Sequence, residues 1–116
     1  MTSATIYHNP RCSKSRATLA LLEARGVTID TVLYLETPPD KQTLTRILAM
    51  LELSPREILR TGESAYTDNN LDDPLLTDTD ILDAIINAPI LLERPIVVCG
   101  TRAKIGRPPE NVLQIL

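Results

Sequence analysis

The order in which apolar runs and chain breakers alternate constrains this chain most, because a β run, a helical run and a second β run fill its first 35 residues. Residues 5–7, with Ala4 ahead of them, read as a short strand that stops at His8-Asn9-Pro10. Residues 13–25 place Leu19, Leu21 and Leu22 with Ala17, Ala20 and Ala24 at helical spacing, and Gly26 stands where a C-terminal cap belongs. Residues 27–35 alternate as a second strand, which Pro38-Pro39 ends. Two strands joined by such a helix lie parallel in one sheet, since an antiparallel pair needs only a hairpin.

The remaining chain reads as several helices followed by β-β-α. Asp40 caps a helix to about Glu52 with Leu44, Ile47, Leu48 and Leu51 as its stripe, and Ser54-Pro55 starts a short one ending near Arg60. Residues 61–76 are polar loop with some helix, and Thr77 or Asp78 caps a helix that Pro89 closes. Residues 96–99 form an apolar central strand, 101–105 its hairpin partner, and Pro108-Pro109-Glu110 opens a last helix to Leu116. The expected fold is α/β: a four-stranded mixed sheet flanked by helices, thioredoxin-like, with a helical insertion between the halves. At 116 residues without repeats or linkers, one domain over 1–116 is expected.

Composition removes several functions. Most apolar residues are Leu, Ile and Val, and with no Phe or Trp the chain lacks the aromatic platforms on which nucleic-acid binders stack bases. A net charge of −3 gives no global field for nucleic acid or an anionic membrane. No apolar run approaches the roughly 20 residues of a membrane span, and residues 1–5 lack the pattern of a signal peptide. Two cysteines and one histidine are too few for a disulfide framework or a structural zinc site, which points to a reducing, cytoplasmic compartment and no bound metal.

In such a compartment a cysteine is either buried and inert or chemically employed. Cys12 falls where the first strand hands over to the first helix, so unpaired N–H groups and the positive helix end favour its thiolate. Arg11, Lys14 and Arg16 surround it, Ser13 and Ser15 offer hydrogen bonds that support the thiolate, and His8 is the sole imidazole. The motif is Cys-x-x-Ser, so no resolving thiol follows on the same turn, and Cys99 reads as inert core within an Ile-Val-Val run. Arg60, Arg94 and Arg107 each sit at an element end, the last two in Arg-Pro pairs. In a thioredoxin-like layout the loop before the third strand faces the active cysteine, often through a cis proline. An arginine there could clamp a tetrahedral oxyanion.

The stretch Ile6-Tyr7-His8-Asn9-Pro10-x-Cys12-x-x-Ser15-Arg16 resembles the opening of the glutaredoxin-coupled arsenate reductase family. So do Tyr34-Leu35-Glu36-x-Pro38-Pro39, Leu59-Arg60, Pro89-Ile90-Leu91, Arg94-Pro95-Ile96-Val97-Val98 and Arg107-Pro108-x-Glu110. The resemblance implies a thioredoxin-like domain with Cys12 as nucleophile and Arg60, Arg94 and Arg107 holding the oxyanion. It implies that His8 lowers the pKa of the cysteine. Arsenate would be reduced to arsenite through a covalent Cys12 intermediate, with glutathione and glutaredoxin as external reductants and no bound cofactor. The end at Leu116 and residues 99–106 resemble the short chromosomal branch. Two alternatives stay open: a general monothiol oxidoreductase, and a redox-linked regulator of the same fold, which usually carries Cys-x-x-Cys.

Overall fold

Alternation at the amino end becomes β1 (Ser3–Tyr7), in which Ala4 and Ile6 are buried and Thr5 and Tyr7 half-buried. The computed structural model describes residues 2–116; Met1, part of the amino-terminal segment read above, lies outside the described residues. These residues form two compact units, one running to Thr37 and resuming over Arg94–Leu116, the other Pro38–Glu93.

In the first unit α1 (Ser13–Ala24) carries the chain from β1 to β2 (Thr28–Val32), and the two strands pair in parallel from Ser3↔Thr28 to Tyr7↔Val32. β3 (Ile96–Cys99) lies antiparallel on the other side of β1, and β4 (Arg102–Ile105) antiparallel to β3, giving the order β2-β1-β3-β4. Gly100, at φ +62°, supplies the left-handed residue of the β3–β4 turn. Ala4, Ile6 and Val97 of the sheet pack with Leu22 of α1 and with Val112 and Ile115 of a 3₁₀ segment, Pro109–Ile115. This is the mixed, helix-flanked sheet expected of a thioredoxin-like chain.

Three local expectations change. The second strand stops at Val32 rather than at 35, because β1 ends and the last rung is His8 N–H to the Val32 carbonyl at 2.8 Å. The buried stripe of α1 is Ser15, Thr18 and Leu22, while Ala17, Ala20 and Ala24 are exposed. The two buried hydroxyls are tolerated there because both are hydrogen-bonded, Thr18 donating to the Lys14 carbonyl at 2.8 Å. The last helix is 3₁₀, and Val112 and Ile115 are buried at its three-residue spacing.

The second unit contains α2 (Lys41–Leu51), α3 (Ser64–Asp68) and α4 (Asp78–Asn87). The expected caps are present: the Asp40 carboxylate accepts from Thr43 N–H at 2.7 Å, and Thr77 and Asp80 cap each other. Leu59 and Leu92 form an antiparallel bridge, flanked by Arg60 N–H to the Leu91 carbonyl and Glu93 N–H to the Ile58 carbonyl, both 2.8 Å. Among the described residues no helix is long and apolar enough to cross a membrane.

Gly106, just after β4, sits where a Cβ would meet Thr18 Oγ1 of α1 and stand 2.8 Å from Pro95 Cγ. Gly106→Ala therefore overpacks this junction and should lower stability by about 1–3 kcal/mol. A urea denaturation midpoint equal to that of the wild type would refute this packing account.

Candidate active site

Cys12 is the N-cap residue of α1, with extended backbone at φ −94° and ψ 122°. An N-cap side chain is aimed at the free N–H groups of the first turn, and here that side chain is a thiol. The turn into the helix is built by Asn9, whose carbonyl accepts from Cys12 N–H at 3.0 Å while its Oδ1 accepts from Arg11 N–H at 3.0 Å. Burial pushes the thiol pKa up, and the opposing groups outweigh it: Ser15 N–H, the Arg94 guanidinium and Lys14 N–H hold it below the ordinary value.

The two Arg-Pro pairs meet through the β3–β4 register. Ile96 pairs with Ile105, and beyond that rung Gly106 N–H donates to the Pro95 carbonyl at 2.9 Å. Arg94 and Arg107 are therefore neighbours across the hairpin, and both the Arg94–Pro95 and Arg107–Pro108 bonds are cis. Arg107 Nε donates to the Arg94 carbonyl at 2.8 Å, and its Nη2 reaches Cys12 Sγ at 3.6 Å. Asn111 Nδ2 donates to the Arg107 carbonyl at 3.0 Å, which fixes the far side of the same loop. Two guanidinium groups and a helix N-terminus thus converge on one sulfur.

His8 serves this arrangement indirectly. Its ring is buried, and Nδ1 shares a 2.5 Å hydrogen bond with Ser15 Oγ, which also accepts from Asn9 N–H at 3.0 Å. Burial and the nearby Arg16 charge hold the imidazole pKa below 6.5, so the ring is neutral at pH 7. Ser15 thus contributes twice, its hydroxyl joining His8 to the Asn9 loop and its N–H facing the sulfur. Arg16 closes the loop from outside, Nη1 donating to the Pro10 carbonyl at 2.9 Å.

Arg60 lies in the second unit, on the Leu59–Leu92 bridge. Its Nη1 pairs with Glu93 at 2.8 Å and its Nε with Glu63 at 3.3 Å. Those two carboxylates carry no sequence signal of their own. Cys99, expected as buried core, is half-buried at the rim of the core cluster, and its Sγ donates to the Ser3 carbonyl at 3.4 Å. Both cysteines are free thiols, and among the described residues no cluster of His, Cys, Asp and Glu could hold a metal ion. A cleft of about 330 Å³ adjoins the Cys12 loop, lined by His8 to Arg11 on one side and Leu33, Leu35 and Glu36 on the other.

Residues 7–115 match the sequence profile of the ArsC family. The chain belongs to the ArsC family. An arsenate reductase of Neisseria meningitidis serogroup A is 47% identical over 117 aligned positions that cover all of both chains. The Escherichia coli K12 protein YfgD, whose activity is uncharacterised, is 52% identical over 96% of this chain and 94% of its own. Among solved structures, an arsenate reductase from Vibrio cholerae superposes with a TM-score of 0.96 at 48% identity, covering 99% of this chain and 98% of that one.

Two measurements test the electrostatics of this ArsC-family site. The rate of Cys12 alkylation against pH should show a midpoint below the free-thiol value of about 8.5; a midpoint at or above that value would contradict the convergence of donors on Sγ. His8 binds a proton more weakly in the fold than in the unfolded chain. Its contribution to stability is therefore complete above pH 6.5 and is lost as pH falls through the lower folded value. His8→Gln should flatten the decline in unfolding free energy between roughly pH 7.5 and 5. An unchanged slope would show that His8 does not titrate differently in the two states.

Proposed function

We propose that this chain reduces arsenate to arsenite in the cytoplasm, with residues 1–116 serving as one catalytic domain and glutathione and glutaredoxin as external reductants. The observation that carries this reading is the convergence of Arg94 and Arg107 on the N-cap thiol Cys12. A monothiol exchange enzyme needs an activated sulfur but has no use for two guanidinium groups beside it. A tetrahedral oxyanion needs both, because its charge must be neutralised before an anionic nucleophile can approach.

In the proposed reaction the Cys12 thiolate attacks arsenic(V), an S–As bond forms, and one arsenic-bound oxygen leaves as water after protonation. Glutathione then joins its sulfur to Cys12; the two thiols lose two electrons between them, and arsenic leaves as arsenite. A glutaredoxin thiol takes up the glutathione by disulfide exchange and returns Cys12 to the thiolate. Arg94 and Arg107 hold the oxyanion while charge moves from sulfur to arsenic, and the family resemblance assigns Arg60 to the same task. His8 and Ser15 keep the Cys12 loop in place.

A coupled assay with glutathione, glutaredoxin and NADPH tests this. Wild type should turn over arsenate, Cys12→Ser should be inactive, and Arg94→Ala or Arg107→Ala should lose about 10²-fold or more in kcat/KM. Cys99→Ser should remain active. Absence of arsenate-dependent turnover in the wild type overturns the reading. Disulfide exchange that survives both arginine changes would favour the monothiol alternative.

A further inference from the structure

We propose that Tyr34 is a positioning residue that holds the Arg94 guanidinium against the Cys12 sulfur. The turn after β2 is constructed around this side chain. Glu36 N–H and Thr37 N–H both donate to the Leu33 carbonyl at 2.9 Å, closing the turn. Leu33 and Leu35 are 37% and 39% exposed and Glu36 and Thr37 are exposed, yet Tyr34 between them is 0% exposed. The chain contains no Phe and three Tyr, so a fully buried phenol where an apolar ring would fill the space asks for a polar purpose.

That purpose is beside it. The Tyr34 hydroxyl and the Nε and Nη1 atoms of Arg94 are all buried, and the hydroxyl interacts with the guanidinium, which in turn interacts with Cys12 Sγ. Arg107 fixes the Arg94 backbone through its carbonyl at 2.8 Å, but a backbone contact leaves a long side chain free to turn. Buried guanidinium N–H groups must be met by acceptors, and Arg94 interacts with both the Cys12 sulfur and the Tyr34 phenol. The sulfur is an anion only until it becomes covalently bonded. On the reading proposed above, Cys12 loses its charge when it bonds to arsenic or to another sulfur, and the phenol is then the partner that keeps Arg94 in place. This last step rests on that reading; the positioning itself does not.

The experiment uses the full chain with Cys99→Ser, so that alkylation reports Cys12 alone. Tyr34→Phe keeps the ring and removes the hydroxyl. The alkylation midpoint should rise, by up to about one pH unit, as an opposite charge moves away from the thiolate. In an Arg94→Ala background the same change should produce no further rise, because Tyr34 acts through Arg94. An unchanged midpoint in Tyr34→Phe, or an equal rise with and without Arg94, overturns the proposal and leaves Tyr34 as packing only. Should Tyr34→Phe fail to fold, wild-type NMR decides: Arg94 Nε–H should exchange slowly with solvent and show an NOE to the Tyr34 ring, and its absence overturns the proposal. Arsenate appears in none of these measurements. A wild type inactive on arsenate but with the expected midpoints refutes the function and supports the positioning role.

Discussion

The close approach at Gly106 is the constraint on which the site depends. A Cβ there would run into Thr18 of α1 and the Pro95 ring, so the site has no room for one. This contact fixes the hairpin loop against the first turns of α1, and so fixes Arg107 and Arg94 against the residue that caps that helix. The sheet register supplies the other coordinate, because continuing Ile96↔Ile105 by two positions brings Arg94 opposite Arg107. Neither constraint alone brings guanidinium to sulfur. Register sets the distance between the arginines, and the glycine sets their distance from the thiol.

Electrostatics at Cys12 are a contest in which burial is the largest single influence and yet loses. Desolvation raises the thiol pKa, while two first-turn N–H groups and the arginine act together to lower it. The Ser15 N–H is the largest of the lowering influences, the Arg94 guanidinium comes next, and the Lys14 N–H adds to both. The helix end and the arginine overcome burial together, in an acidic chain that also places Arg11, Lys14 and Arg16 around this cysteine. His8 contributes no charge, being held neutral; its part is geometric, through Ser15.

Much of this was legible from the sequence, and the gaps have physical reasons. The β-α-β order, the caps at Asp40 and Thr77, and a cysteine at a helix start are local patterns, governed by residues within a few positions of one another. Arg94 and Arg107 were visible as a repeated Arg-Pro pair, but their meeting depends on a strand register that no local pattern encodes. The alanines of α1 misled because helical spacing marks two adjacent stripes, and here hydrogen-bonded Ser15 and Thr18 take the buried one. Tyr34 escaped because a strand reading of residues 27–35 put it in alternation, whereas the strand ends at Val32 when its partner does. Glu63 and Glu93 gain their meaning only from the Leu59–Leu92 bridge, a contact between segments 33 residues apart measured from Arg60 to Glu93.

The two cysteines sit at opposite ends of the same strand. Val98 pairs with Thr5, which places Cys99 beside the beginning of β1, and its sulfur bonds to Ser3. Cys12 follows the other end of the same strand, beyond His8. Four strand residues at about 3.3 Å each put roughly 13 Å between those levels, whereas a disulfide needs Cα atoms within about 7 Å. The hydrogen bonds are of opposite sense as well. Cys99 Sγ donates to a carbonyl, while Cys12 faces the Ser15 and Lys14 N–H groups and the Arg94 guanidinium, which together lower its pKa. Any disulfide formed at Cys12 must therefore take its second sulfur from another molecule.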